Sequence, residues 1–290
     1  MPDLALTKLD DLAVLAVRGN DAIAFLQGQL SQDLRPLQDG EATLAGLHNP
    51  QGRCIAVIRL LRMTREHLLL VLPAELADPV RQLLARYVLR ARVRIEDAAA
   101  AWRIYGATGP DADAVATTRI SMPVDEAGTR QLILAPRGEP LPDGDVVPRT
   151  QWRLDDIAAG FPEITAATSG LFVAQMLNLD LLHAIGFDKG CYTGQEIIAR
   201  AHYRGEVKRR MQRFYTASDA VLAAGLRLRL ADERNAQVVI AAPAEAGGQE
   251  FLAVTTPPGT GTAGAEASEE GASAQPALPC SQLPLPYSPL

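Results

Sequence analysis

The chain has 290 residues with a formal net charge of −6, and 48% of its residues are hydrophobic. A chain of this length and apolar content can form two or three compact units. Its negative charge argues against a protein that coats nucleic acid. The charge is also uneven: no Lys or Arg follows Arg234, whereas the C-terminal fifth contains Glu245, Glu250, Glu266, Glu269 and Glu270.

The three cysteines, Cys54, Cys191 and Cys280, are widely spaced and form no CxxC pair. This pattern predicts neither a disulfide framework nor a structural zinc site, and we expect no metal site. The N-terminal residues lack the apolar stretch of a signal peptide. No apolar run reaches the roughly 18 residues that a membrane span needs, so we expect no membrane partner. A reducing cytoplasm is therefore the expected location.

The first half of the chain mixes predicted strands and helices without the regular alternation of a doubly wound sheet. Asn49-Pro50-Gln51-Gly52 fits a type I turn between two strands, because Pro suits the second position of that turn. The mixture favours an α+β fold. Predicted strands cover residues 12–17, 43–47, 53–61, 68–72, 91–95, 102–107 and 131–135; predicted helices start at Asn20 or Asp21 and cover 79–89 and 152–159.

After residue 213 the pattern changes to short predicted strands, at 214–216, 226–230, 237–241 and 251–254. Such a series predicts a small all-β unit, for example a barrel. The stretch that follows is rich in Gly, Ala, Ser, Thr and Glu and predicts a mobile insert. A last extended segment is expected at 283–287.

One motif carries more chemical information than any other. Thr193 and Glu196 stand three residues apart before an apolar run, which predicts a capping box and places Cys191 two residues before a helix N-terminus. The positive end of that helix and the cations Lys189 and Arg200 favour a thiolate. We predict an accessible, reactive thiol, with a buried small residue as the alternative. The motif is Lys189, Gly190, Cys191, Tyr192, Thr193, Gly194, Gln195 and Glu196.

The other two cysteines are expected to be inert. Cys54 lies in the middle of a predicted strand, between Arg53 and Ile55, where free Cys is usually packed in the core. Cys280 lies beside the predicted insert, and its position there is expected to be incidental.

The octet 189–196 resembles the signature of the YgfZ family, folate-binding proteins of iron–sulfur cluster maintenance. The fold of that family is similar to that of the aminomethyltransferase (T-protein) of the glycine cleavage system. The resemblance spans the chain apart from the predicted insert. Further blocks that fit the family are residues 9–11 (LDD), 25–30 (FLQGQL), 49–53 (NPQGR), 159–162 (AGFP), 175–179 (QMLNL) and 285–287 (LPY).

The resemblance implies an α+β, T-protein-like three-domain architecture with a small C-terminal β-barrel. Two interleaved α+β folate-binding domains would cover residues 1–205, approximately as 1–45 plus 110–205 and as 46–109. The β-barrel would cover 206–290, with a flexible insert near 256–279.

The resemblance also implies a central cleft that binds tetrahydrofolate or a one-carbon derivative. By position, Trp152 matches an aromatic folate contact, which suits stacking on a flat ring. Leu12 stands where the family has a second aromatic residue, so it keeps apolar contact and loses stacking. Candidates for contacts with an anionic ligand are Arg200, Arg204 and Lys208.

The implied function is support of iron–sulfur cluster assembly or repair in client enzymes such as a tRNA methylthiotransferase, and thereby thiomethylation of tRNA. We expect a monomer. Aminomethyl transfer is the first alternative. The T-protein carries an acidic pair on its hairpin strand, where this chain has Ala56 and Val57, and residues 42–65 contain no Asp or Glu. The acid that orients the folate amine is therefore missing.

A non-catalytic adaptor that binds tRNA or protein is the second alternative. Residues 200–213 contain six cations beside the single Glu206, and residues 79–95 contain five Arg and no acid. Such clusters can contact phosphates, the polyglutamate tail of a folate, or only solvent. His202 is the nearest candidate base to the octet.

Overall fold

A computed structural model describes residues 4–110, 112, 120–123, 129–140, 143–205, 207–258 and 277–288. These residues form an α+β fold, as predicted, with three five-stranded sheets. The strands are β1 (Ala5–Lys8), β2 (Leu12–Arg18), β3 (Ala42–His48), β4 (Cys54–Thr64), β5 (His67–Pro73), β6 (Arg94–Asp97), β7 (Trp102–Thr108), β8 (Ile120–Pro123), β9 (Arg130–Pro136), β10 (Asp145–Val146), β11 (Arg210–Thr216), β12 (Arg227–Arg229), β13 (Asn235–Pro243), β14 (Gln249–Thr255) and β15 (Ser281–Leu283). The α-helices are α1 (Ala22–Gln27), α2 (Ala74–Ala85), α3 (Arg149–Ala158) and α4 (Gln195–Tyr203), with a 3-10 helix at Ala174–Leu177.

The sheet β3-β4-β5-β2-β6 is antiparallel throughout and lies at the centre of the fold. Its inner strands are buried on both faces, which explains why they read as continuous apolar runs. One face of β2, with Leu15 and Val17, belongs to the main core beneath α1 and α2. The other face, with Val14 and Ala16, packs against Trp152 of α3.

The sheet β10-β1-β7-β9-β8 covers that second face. Its pairs are antiparallel except β1 with β10. The predicted boundaries at 45/46 and 109/110 do not coincide with the two sheets, since β2 and β3 pair with β4–β6 and β7 pairs with β1 and β9. The division into domains stays a prediction.

The C-terminal residues form a third sheet in the order β12-β13-β14-β11-β15. One face of this sheet contributes Met211, Val239 and Leu252 to the main core. The other face forms a small core of its own, in which Phe214 and Phe251 stack with ring centroids 5.3 Å apart. An isolated bridge joins residues beside the two edge strands. Closure into a barrel stays a prediction, and most of the predicted insert, residues 259–276, lies outside the described residues.

Helix α2 begins and ends earlier than the predicted 79–89. It covers Ala74–Ala85 and contains Pro79 in its second turn. The predicted bounds place Pro79 at the first position of the helix, where its missing N–H costs least. The longer helix forms because Leu76 and Ala77, which precede Pro79, are buried on the same face as Leu84. Among the described residues no helix is long and apolar enough to cross a membrane.

Candidate functional site

Cys191 lies exposed on the loop that precedes α4. Lys189, two residues before Cys191, fixes the loop, and only 6% of this residue is exposed. The ammonium Nζ of Lys189 donates to the carbonyl oxygens of Leu30 at 2.6 Å and Gln32 at 2.8 Å. It also lies 4.9 Å from the centroid of the Tyr192 ring. Lys189 therefore anchors the loop to the segment after α1, and burial lowers its pKa to about 8.

The same loop packs against the turn between β3 and β4. In that turn the amide of Gly52 donates to the carbonyl of Asn49 at 2.9 Å, the bond between the first and fourth residues of a β-turn. Gly194 has φ +82°, and a Cβ there would lie 2.6 Å from the Asn49 oxygen and 3.0 Å from Gly52 Cα. Only glycine fits this contact. The structure thus brings two sequence motifs, residues 49–53 and 189–196, into direct contact.

The predicted capping box at Thr193 and Glu196 is wrong. Helix α4 starts one residue later than expected, at Gln195, with Gly194 as its N-cap and no side-chain capping hydrogen bond. The left-handed backbone of Gly194 against the β3–β4 turn sets the start of the helix, so Thr193 is not at the N-cap. Glu196 is exposed in the first turn of the helix.

The body of α4 buries a single residue, Ile198, whose carbonyl accepts a hydrogen bond of 2.7 Å from Gln175 Nε2. The predicted base His202 stacks on Phe187 with ring centroids 3.7 Å apart. Tyr203, at the end of the helix, is 63% exposed. The three predicted anion contacts are exposed and have no ion pair within the described part of the chain: Arg200, Arg204 and Lys208.

The other cysteines differ from Cys191 in their surroundings. Cys54 is fully buried on β4, as predicted, and burial raises the pKa of its thiol to about 12. Cys280 is half-buried before β15, and burial raises the pKa of its thiol as well. Of the three cysteines, Cys191 alone is exposed.

Trp152, the predicted folate contact, lies in the core between the β3-β4-β5-β2-β6 sheet and the β10-β1-β7-β9-β8 sheet. Only 1% of its surface is exposed. Leu12 belongs to the same cluster, so the structure brings both predicted contacts together. Gly106 lets the ring lie directly on β7, because a Cβ there would lie 2.1 Å from the ring. The guanidinium of Arg130 lies 4.2 Å from a ring centroid of Trp152. The predicted open stacking face is therefore absent from this conformation.

A charged cluster, which we call the junction cluster, lies beside Trp152 where α3 meets the two sheets. Asp156 accepts a hydrogen bond of 2.7 Å from Arg130 Nη2 and lies 3.8 Å from Arg59 Nη2. Farther out, Arg149 bonds both Asp11 at 2.8 Å and Glu163 at 3.0 Å. The cluster is Asp11, Arg59, Arg130, Arg149, Arg153, Asp155, Asp156 and Glu163.

The sequence pattern did not predict the junction cluster. Arg59 alone could have indicated it, because this charged residue stands between Ile58 and Leu60 in an apolar predicted strand. Charged residues are almost never fully buried unless they are paired. Burial lowers the pKa of Arg59 and raises that of Glu163.

Several N–H donors at the junction have no acceptor among the described residues. They are Arg59 Nε and Nη2, Arg130 Nε and Nη1, Arg149 Nη1, Arg153 Nε and Trp152 Nε1. All of these groups are donors, so only hydrogen-bond acceptors, from water or from a bound molecule, could pair with them. On β4 itself Ala56 and Val57 are buried, and no carboxylate is present there.

The GCVT N-terminal domain model matches residues 3–131. The tRNA-modifying protein YgfZ of Edwardsiella ictaluri is 32% identical over 276 residues, covering 86% of this chain and 83% of that protein. The protein of the same name from Escherichia coli O157:H7 is 32% identical over 233 residues, covering 71% of this chain and 70% of that protein.

An uncharacterised protein of Haemophilus influenzae is 34% identical and covers 70% of each chain. Among solved structures, the glycine cleavage aminomethyltransferase T of Bartonella henselae superposes with a TM-score of 0.68 at 14% identity. The superposition covers 88% of this chain and 78% of that one, and it establishes an aminomethyltransferase-like fold. The matches to the YgfZ proteins show that the chain belongs to the YgfZ family.

Proposed function

We propose that the chain binds tetrahydrofolate or a one-carbon derivative and supports the assembly or repair of iron–sulfur clusters, and thereby tRNA modification by thiomethylation. The observation that carries the proposal is exposed Cys191 on a loop that buried Lys189 anchors. Relatives named tRNA-modifying protein YgfZ support the tRNA part.

The folate part is supported by the fold and by the junction cluster. The chain has the fold of an aminomethyltransferase of the glycine cleavage system. Five donors lack acceptors among the described residues: Nε and Nη2 of Arg59, Nε and Nη1 of Arg130, and Nε1 of Trp152. A pterin ring offers a carbonyl oxygen and ring nitrogens. Leu12 supplies apolar contact beside them. Trp152 would contribute its N–H rather than an open face.

Bound tetrahydrofolate would supply a carrier for one-carbon units. The chain's own residues would position it and exclude water, because the junction lies between two sheets in the core. Aminomethyl transfer is disfavoured, since β4 offers Ala56 and Val57 where an acid would be needed.

Cys191 would act outside this junction, on the surface loop. A single thiolate can attack an electrophile or exchange with another thiol, and it can share an exposed cluster with other ligands. The exposed cations Arg200, Arg204 and Lys208 lie on α4 and the residues after it. They would attract the anionic part of a folate or of a client. The client would be an iron–sulfur enzyme such as a tRNA methylthiotransferase, and the protein would act as a cytoplasmic monomer.

Complementation tests the proposal. A bacterial strain that lacks its own YgfZ protein would receive the wild type, Cys191→Ser or Cys280→Ser, at matched protein levels. Mass spectrometry of digested tRNA would measure the thiomethylated nucleoside. We expect the wild type and Cys280→Ser to restore the nucleoside and Cys191→Ser to leave it at least several-fold lower. Full restoration by Cys191→Ser would leave a non-catalytic adaptor as the better reading.

A further inference from the structure

Arg59 occupies an unusual place for a guanidinium. It lies in the middle of β4, paired with Val71 of β5, and points to the side of the sheet that faces Trp152 and α3. Only 6% of the residue is exposed. Its guanidinium carbon lies 3.9 Å from the centroid of the Phe161 ring, which covers one face of the group. Its N–H donors lie in the plane of the group and are therefore directed past that ring.

The donors on one edge of that plane have no acceptor among the described residues. Nε and Nη2 of Arg59 form this edge. Their two N–H groups point the same way and can bond together to one acceptor group that has two lone pairs. The nearest carboxylate oxygen, Oδ1 of Asp156, is 3.8 Å from Nη2 and already accepts a bond of 2.7 Å from Arg130. Buried donors without acceptors are rare in native proteins and cost about 1–3 kcal/mol each, more for charged groups.

The charge balance of the junction cluster indicates which kind of acceptor fits. The cluster contains four Arg, each within 4 Å of a carboxylate, and four carboxylates. Because these charges already cancel, a further full anion would bring an uncompensated charge beside Asp156 and Glu163. A neutral carbonyl oxygen adds acceptor capacity without adding charge, and its two lone pairs match two N–H donors.

We propose that Arg59 recognises the carbonyl oxygen of the pterin ring of a folate, through Nε–H and Nη2–H together. This assignment rests on the proposed folate function and adds to it the residue that selects the oxo form of the pterin. Phe161 covers one face of the guanidinium, and the four carboxylates of the junction cluster balance the charge of its four Arg.

The test compares two ligands that differ at position 4 of the pterin and in the hydrogen on the neighbouring ring nitrogen. Tetrahydrofolate carries the carbonyl at position 4 of the pterin, and tetrahydroaminopterin carries an amino group there, which replaces an acceptor by donors. Calorimetric titration under anaerobic conditions would use the wild type, Arg59→Met and Arg59→Lys. Arg62→Met serves as the control, because Arg62 lies on the same strand and pairs with Asp39 outside the junction. Thermal unfolding would confirm that each variant is folded.

We expect the wild type and Arg62→Met to bind tetrahydrofolate at least ten-fold more tightly than tetrahydroaminopterin. Arg59→Met should bind tetrahydrofolate at least ten-fold more weakly and distinguish the two ligands less than three-fold; Arg59→Lys should lie between, since it keeps the charge and loses the fork. Equal wild-type affinity for the two ligands, or unchanged discrimination in folded Arg59→Met, would overturn the role of Arg59 while folate binding stands. Absence of wild-type binding to tetrahydrofolate would overturn the folate function itself.

Discussion

The guanidinium of Arg130 lies 4.2 Å from a ring centroid of Trp152, the residue whose face we predicted to stack on folate. The pair is buried, and Arg130 is held in place by its hydrogen bond to Asp156 at 2.7 Å. Trp152 is therefore part of the packing between the two N-terminal sheets, and the polar groups around it become the better candidates for ligand contacts.

This packing predicts a large stability effect at Trp152. Trp152→Ala should lower the free energy of unfolding by about 3–5 kcal/mol, the usual cost of truncating a buried aromatic residue. Trp152→Phe should cost clearly less, because it keeps most of the ring against Gly106. Urea unfolding followed by circular dichroism measures both values. An unchanged midpoint for Trp152→Ala would show that the ring is not in the core.

The surroundings of the three cysteines predict the order in which they react. Iodoacetamide on the native protein at neutral pH should label Cys191 first, because it is exposed, and Cys54 last, because it is buried with a pKa of about 12. Peptide mapping by mass spectrometry at several times gives the order. In urea all three should react at similar rates, which serves as the control. Native labelling of Cys54 at the rate of Cys191 would contradict the described structure.

The contact between Gly194 and the β3–β4 turn predicts an asymmetry between two glycines of the same motif. Gly194→Ala should destabilise the protein by about 1–3 kcal/mol, since the position has φ +82° and a Cβ would lie 2.6 Å from the Asn49 oxygen. Gly190→Ala is the matched control, because a Cβ there meets nothing within 4 Å. Thermal unfolding of both variants beside the wild type measures the difference. Equal stability of the two variants would exclude the close contact.

The lowered pKa of Lys189 predicts a pH dependence of stability. In the folded protein its pKa is about 8, below the ordinary value of 10.5. Between these two values the unfolded chain binds more protons than the folded one, so this group makes stability rise from about pH 8 to pH 10.5. Below pH 8 its contribution is flat.

Lys189→Met isolates that contribution. The free energy of unfolding, measured by urea titration from pH 7 to 10.5, should rise less with pH in Lys189→Met than in the wild type. The comparison with the variant is needed because Cys54, whose pKa is raised, lowers the stability as the pH rises above 9. Cys54 is present in both proteins, so its effect cancels in the difference. Parallel pH curves for the two proteins would rule out the buried ammonium.

The α+β class and most strands could be predicted from the sequence, because β2, β4 and β5 are long apolar runs bounded by turn residues. The exposure of Cys191 could also be expected from its position in the octet, just before a helix N-terminus. The anchor of that loop could not be foreseen: Lys189 binds Leu30, which lies 159 positions away in the chain. The groups that cover the ring of Trp152 could not be foreseen either, because they lie on other elements, Gly106 on β7 and Arg130 on β9. An amphipathic helix pattern shows that a ring is directed inward and does not show what lies on its faces.

The start of α4 illustrates a second limit. Thr193 and Glu196 have the spacing of a capping box, and local sequence alone would place the cap at Thr193. The turn at Asn49–Gly52 instead presses Gly194 into a left-handed conformation, and this tertiary contact determines where the helix begins. Local propensity is a weak guide wherever two distant backbone segments touch.

Folate binding is the central claim, and anaerobic calorimetric titration of the wild-type protein with tetrahydrofolate tests it most directly. We predict saturable binding at one molecule per chain, with affinity reduced at least ten-fold in folded Arg59→Met. Absence of binding heat at several temperatures, with equilibrium dialysis showing no retained tetrahydrofolate, would contradict the account.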